Sequence, residues 1–242
     1  MELGPFVKCP HPEMIEAIAL AGFDFAVVDM EHTPLGPRDL YPLVLAAECG
    51  RLPLAVRIPR LEEEYIKWCL DLGIERIQIP HITSAADVDR AVSWSYFHPL
   101  GERGLCRFVR AADFSGTPRD AYMGRANTRT ELILQIEGEE ALQNVPAILA
   151  RAPRNACLFV GPYDLSQSLG RPGQIWDKRV VAAMEHIQKQ CKATRVRFGT
   201  FTDTIDGIAF WKQRRVDLLE YASDLNIFIE AARALKREAT HA

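Results

Sequence analysis

Two hydrophobic rhythms alternate along the chain. Short runs of β-branched and aliphatic residues occupy positions 3–7, 23–29, 52–58, 75–80, 131–137, 155–161, 195–200 and 216–222. Several are almost wholly apolar, the pattern of parallel strands buried on both faces. Between them, apolar residues recur every three to four positions. Over 12–21, for example, Met14, Ile15, Ile18 and Ala19 share one helical face, and 39–49, 62–72, 85–94, 139–149, 177–191, 204–211 and 225–235 are spaced alike. Eight strand–helix units predict one closed α/β architecture, a (β/α)8 TIM barrel forming a single domain over 1–242. A doubly wound open sheet is the alternative, and the lack of a G-x-G-x-x-G after the first strand weakens its dinucleotide-binding version. One connection, 96–130, is long and is expected to carry a short helix at 120–125.

Composition narrows the partners. The 242 residues are 48% hydrophobic and 25% charged, enough to bury a large core without metal or disulfide staples. The net charge is −3 with both signs interspersed, so neither a nucleic-acid nor a membrane partner is expected. No apolar run approaches the ~18 residues of a membrane span, and the first residues show no basic-then-apolar leader. Cys9, Cys49, Cys69, Cys106, Cys157 and Cys191 are scattered without a C-x-x-C pair; reduced thiols in a cytoplasmic setting are expected.

The candidate chemistry lies at the strand ends, which form the active face of such a barrel. Strand 2 ends in Asp29-Met30-Glu31-His32, strand 3 in Arg57, strand 5 in Gln135 and Glu137, and strand 6 runs into Gly161-Pro162-Tyr163-Asp164. Gathering such groups costs several kcal/mol unless they pair or bind an ion. Glu137 and Asp164, oxygen donors on adjacent strands, suit a hard divalent ion; singly, each also fits as a first-turn helix carboxylate. His32 is a general-base candidate that Asp29 would orient, or else a loop histidine without a role. Arg57 is placed to neutralise an oxyanion or carboxylate, to pair with Asp29 or Glu31, or both. The Gly161–Pro162–Tyr163 turn offers backbone N–H groups to an anion, or is only a tight connection. Lys8 alone among the lysines falls near a strand end, so a Schiff-base mechanism is disfavoured.

These motifs resemble the HpcH/HpaI aldolases, the class II pyruvate aldolases. The resemblance runs through AGFDFAVVDMEHTPLG (21–36), AVRIP (55–59), LDLGIERIQIP (70–80), LGERG (100–104), LQIEGEEALQNV (134–145) and GPYDLSQSLGRPG (161–173). It implies a lyase that reversibly cleaves a 4-hydroxy-2-oxo acid to pyruvate and an aldehyde through the enolate of metal-bound pyruvate. It implies that Glu137 and Asp164 hold Mg²⁺, Mn²⁺ or Co²⁺. Gln135 would line the site, and backbone around Gly161, Pro162 and Tyr163 would hold the carboxylate. Arg57 would stabilise the enolate, and His32 with Asp29 would move protons. Asp71 would approach a neighbouring subunit's site in a homohexamer, a trimer of dimers that exchanges C-terminal helices.

The chain departs from the family pattern in three places. Tyr163 stands where several relatives are small, which would narrow the aldehyde side. His81 follows Pro80 where some relatives are apolar, as a substrate contact, as packing, or as a support behind the site's ligands. The segment 194–217 matches poorly, which leaves the aldehyde open. Arg103, Arg107 and Arg110 either greet an anionic substrate or form a solvated loop. Two other functions compete: a lyase for CoA esters, and a barrel that binds a 2-oxo acid without turnover.

Overall fold

In a computed structural model that describes residues 1–241, eight parallel strands close a barrel in sequence order: β1 (Glu2–Val7), β2 (Ala26–Asp29), β3 (Leu54–Arg57), β4 (Arg76–Ile79), β5 (Glu131–Ile136), β6 (Cys157–Val160), β7 (Arg197–Thr202) and β8 (Leu218–Ser223), with β8 pairing back onto β1. The expected TIM barrel is therefore formed. Most strands are shorter than their apolar runs. At the start of β3, Pro53 has no N–H to give a ladder, and Leu52 N–H is bonded to Ala47 O at the end of the preceding helix.

Helices α1 (Pro12–Leu20), α2 (Pro37–Gly50), α3 (Glu63–Leu72) and α4 (Ala85–Ser95) follow the first four strands. The long connection carries a 3-10 segment (Arg110–Ser115) and α5 (Arg119–Arg129), longer than the helix expected there. Then come α6 (Glu139–Arg151) after β5, the short α7 (Pro162–Ser168) and α8 (Lys178–Thr194) after β6, α9 (Ile205–Gln213) after β7 and α10 (Asp224–His241) after β8.

Alternation along each strand sorts side chains into two cores. Val28, Val56, Ile77, Leu134 and Leu158 point outward against the helices, while Val27, Ala55, Ile133, Phe159 and Leu218 fill the barrel. The same period of two aims Asp29, Arg57, Gln78, Gln135 and Glu220 inward, all buried near the C-terminal end. The apolar layer beneath them is tightly filled. A Cβ on Gly199 would lie 2.9 Å from the Phe159 ring, so glycine there makes room for an aromatic floor to the site.

Candidate active site

Parallel pairing sets Asp29 beside Arg57. The guanidinium forks onto the carboxylate, Nε donating to Oδ1 at 2.9 Å and Nη2 to Oδ2 at 2.8 Å, while Nη1 lies 3.2 Å from Glu31. Its plane sits 4.6 Å from the centre of the Phe6 ring. Lys8, one residue beyond β1, also pairs with Asp29. Burial alone would raise the Asp29 carboxyl, but Arg57 and Lys8 outweigh it and hold the group at about 2. Both readings offered for Arg57 thus share one geometry: it pairs with the two acids and faces the mouth.

The expected orientation of the His32 imidazole by Asp29 is corrected. Asp29 accepts the backbone N–H of Glu31 at 3.1 Å and of His32 at 3.3 Å, but its carboxylate is taken up by two cations. The His32 ring lies at the rim, 63% exposed, and its closest acid is Glu31 at 3.9 Å. Asp29 therefore sets Arg57 and the backbone of 31–32, and His32 stands free of it. Lys8, committed to Asp29 as a cation, is poorly placed to act as an amine nucleophile.

A second cluster gathers on Glu137. Gln135 Nε2 donates to its Oε2 at 2.7 Å, and the His81 backbone N–H donates to Oε1 at 3.0 Å. His81 adopts φ 56°, a left-handed conformation uncommon for a side-chain-bearing residue. This conformation accompanies an imidazole bridging two acids, Nδ1 2.8 Å from Glu137 and Nε2 3.2 Å from Glu31. Burial raises the Glu31 carboxyl; Arg57 opposes the shift and the nearby Glu137 charge adds to it. Glu31 Oε2 is buried and makes no well-directed hydrogen bond, its nearest cation being Arg57 Nη1 at 3.2 Å. One donor atom each from Glu31, His81 and Glu137 lies within 4.8 Å of the others. From the sequence, Glu31 stands among the polar strand-end groups and as a partner for Arg57, and His81 as a substrate contact or support; that the two share Glu137 is not legible there, although both follow strand ends.

Asp164, in the first turn of α7, is exposed and lines a cavity of about 290 Å³ with His81 and Glu137. The approach of this turn to Glu137 depends on Gly161, where a Cβ would sit 2.9 Å from Glu137 Oε2. The residues fit a divalent cation. They are predominantly hard oxygen donors, and they crowd like charges that a cation would relieve.

Beside this cluster lies a cavity of about 400 Å³ whose lining includes Lys8, His32, Arg57, Gln135, Gly161, Pro162, Tyr163 and Asp164. Phe6, Phe201 and Tyr163 form a row across it, with ring centres 5.9 and 6.0 Å apart. The Tyr163 hydroxyl donates to Asp203. Backbone accounting narrows the expected anion turn: Gly161 N–H is bonded to Ile136 O at 3.2 Å and Pro162 has no N–H. Tyr163 N–H is the donor left for a ligand among those three residues. Asp71 is not brought to this mouth. It lies near the end of α3, which runs back toward the opposite end of the barrel, and takes Arg103 Nη2 at 2.8 Å. Arg110 is bound to Glu48, so neither of these loop arginines reaches the cavity.

The sequence profile of the HpcH/HpaI aldolase/citrate lyase family matches residues 2–231. The chain is 34% identical over 229 residues to a hydroxypyruvate/pyruvate aldolase of Paraburkholderia phytofirmans, covering 92% of this chain and 87% of that one. It is 31% identical to a 2-dehydro-3,6-dideoxy-6-sulfogluconate aldolase of Pseudomonas putida, covering 96% and 90%. A solved HpcH/HpaI aldolase/citrate lyase family protein from Burkholderia cenocepacia superposes with a TM-score of 0.92 at 31% identity, covering 99% of this chain and 94% of that one. The chain belongs to the HpcH/HpaI aldolase/citrate lyase family.

Proposed function

We propose that this chain is a class II pyruvate aldolase that uses a divalent ion to cleave a 4-hydroxy-2-oxo acid reversibly into pyruvate and an aldehyde. The observation that carries the reading is a crowd of acids around Glu137 facing Arg57 across one barrel mouth. The aldolase names of relatives at about 30% identity support it. Glu137 and Asp164 are assigned to the ion, which we take to be Mg²⁺, Mn²⁺ or Co²⁺, with Glu31 and His81 as further donors on the same side. The ion would supply Lewis acidity toward the 2-oxo acid.

The chain's own groups account for the remaining chemistry. In cleavage, a base takes the proton of the 4-hydroxyl, the C3–C4 bond breaks, and its electron pair passes into the pyruvate fragment as an enolate. The aldehyde leaves and C3 is then protonated. Arg57, fixed by its fork to Asp29, faces the oxygen on which that charge develops and stabilises it more than the neutral ketone. His32, unpaired at the rim, is assigned the proton. Gln135 holds Glu137, and Tyr163 N–H is available to the substrate carboxylate. The aromatic row from Phe6 to Tyr163 is assigned to the aldehyde. Leu225, Phe228, Ile229 and Leu235 of α10 lie uncovered, which supports association of copies through this helix, as in a hexamer with exchanged C-terminal helices; Asp71 would then serve a neighbouring copy. The free cysteines favour a cytoplasmic setting.

The test follows pyruvate release from a panel of 4-hydroxy-2-oxo acids after chelation and after adding back each ion. Cleavage restored by metal, lost in Glu137→Ala and indifferent to borohydride is the expected result. Borohydride inactivation in the presence of substrate would replace the metal mechanism with an imine on Lys8. Turnover only of CoA esters would move the chain to that branch of the family, and binding without turnover would leave a sensor.

A further inference from the structure

Glu220 has no part in the chemistry above, yet it is a fully buried acid of the barrel interior, as Asp29 is, and unlike Asp29 it has no cation bonded to it. It lies on β8 with no exposed surface, opposite Gly4 of β1 and Phe201 of β7. Its Oε2 accepts Gln78 Nε2 at 3.4 Å, the long link of a chain. The same Gln78 Nε2 donates to Gln135 Oε1 at 2.6 Å, and Gln135 Nε2 donates to Glu137 Oε2 at 2.7 Å. Three buried side chains from β8, β4 and β5 thus lead to the carboxylate assigned to the metal.

We propose that Glu220 is a positioning residue, the acceptor that anchors the Gln78–Gln135 amide chain and thereby fixes the orientation of Glu137. The inference rests on the assignment of Glu137 as a metal ligand. An amide group is nearly symmetric in shape, and its direction is set by what lies at its two ends. Gln135 must present its NH₂ to Glu137, so its oxygen needs a donor, which Gln78 supplies. The second hydrogen of the Gln78 amide needs an acceptor, and Glu220 is the acceptor on that side. With the carbonyl oxygen of Glu220 toward Gln78, turning Gln78 over would set oxygen against oxygen toward both Gln135 and Glu220. Turning both amides would set Gln135 Oε1 against the Glu137 carboxylate. Without an acceptor at position 220, the first penalty is halved and the carboxylate loses its fixed donor.

The surroundings of Glu220 match an anchor that works uncharged. Burial pushes its carboxyl up to about 8, against the opposing influence of Arg57 and the bond from Gln78, with Asp29 adding to the rise. Cys157 of β6 is the other titratable group close enough to feel it. The carboxyl is therefore neutral through most of the physiological range. Its ionisation would put a negative charge beside Arg57, which is needed for the enolate. Glu220 Oε1 and Gln78 Oε1 are both buried without a partner. A proton on Glu220 lowers the cost of leaving its oxygen dry.

The experiment uses the metal-stripped full chain and its Glu220→Gln and Glu220→Leu variants. Mn²⁺ affinity is read from the free-ion EPR signal, thermal melts report folding, and kcat/KM is measured from pH 6 to 9. Glu220→Leu is expected to weaken Mn²⁺ binding ~10–100-fold, the range for losing support behind a metal ligand. Glu220→Gln, which keeps a carbonyl acceptor, is expected to bind within about twofold of wild type. Wild-type kcat/KM is expected to fall above about pH 8, and that limb is absent in Glu220→Gln. Wild-type Mn²⁺ affinity in a folded Glu220→Leu overturns the proposal. So does an alkaline limb that persists in Glu220→Gln, a result that decides the matter even if the leucine variant does not fold. Wild type that binds no Mn²⁺ overturns the metal assignment itself and this inference with it.

Discussion

The two ends of the barrel handle charge in opposite ways. At the N-terminal end, Glu2, Arg76, Glu131 and Arg197 form a ring in which each arginine touches both acids. Arg76 lies 3.0 Å from each, and Arg197 lies 2.6 Å from Glu2 and 2.5 Å from Glu131. Two positive charges meet two negative ones, and apart from Arg76 Nη1 no nitrogen or oxygen of the four side chains is left buried without a partner. At the C-terminal end, Arg57 and Lys8 share Asp29 while Glu31 and Glu137 crowd one imidazole. The floor is complete without a ligand, and the mouth is not. Similar residue types therefore serve stability at one end and chemistry at the other, in keeping with where such barrels place their active sites.

The comparison breaks most visibly at Arg57. Arg57→Lys keeps the charge but loses the fork to Asp29 and the contact with Glu31. A fall in kcat of ~10²–10³ is expected, as for removing one donor from an oxyanion site, with a lower melting temperature from the lost fork to buried Asp29; a kcat within a few-fold of wild type would deny Arg57 its role. The floor should respond inversely. Glu131→Gln breaks two ion pairs and is expected to cost about 3 kcal/mol in urea unfolding, with kcat and metal dependence intact. That is the low end for breaking a buried pair, because Arg197 and Glu2 have side chains 30% and 35% exposed. A large loss of activity in a folded Glu131→Gln would show that the two ends are coupled.

Two smaller effects sharpen the contrast. The Asp29 carboxyl is held at about 2 in the fold against about 3.9 in an unfolded chain. A lowered folded value means that its contribution is fully present above about pH 4 and is lost as the pH falls toward 2, roughly 2–3 kcal/mol in all. Urea midpoints of wild type and Asp29→Asn should therefore converge as the pH drops through that window, and a constant gap would contradict it. Tyr163→Phe, which removes only the bond to Asp203, is expected to cost about 1 kcal/mol. It should change KM for the aldehyde a few-fold more than kcat; an unchanged aldehyde profile would move the acceptor pocket elsewhere.

Much of this arrangement is legible in the amino-acid sequence. The eight alternating units were legible because periods of two and of about 3.6 are local properties of the chain. The polar strand ends at Asp29, Arg57, Gln135 and Glu137 stand out for the same reason, since each falls where an apolar run should stop, and Asp164 follows in the turn after β6. Partners were less legible. Asp29 was matched with His32, three residues away, but its carboxylate meets Lys8 and Arg57, 21 and 28 residues away.

The sequence by itself determined the barrel, the end of it that carries the chemistry, and the residue types found there. The tertiary structure alone decided that His81 bridges Glu31 and Glu137, that Asp71 turns away from its own chain's mouth, and that Glu220 stands at the end of an amide chain leading to Glu137. The physical reason is barrel closure. It brings side chains from β2, β4, β5 and β8 within hydrogen-bond reach of one another, and nothing in the spacing of residues 31, 81, 137 and 220 along the chain encodes that meeting.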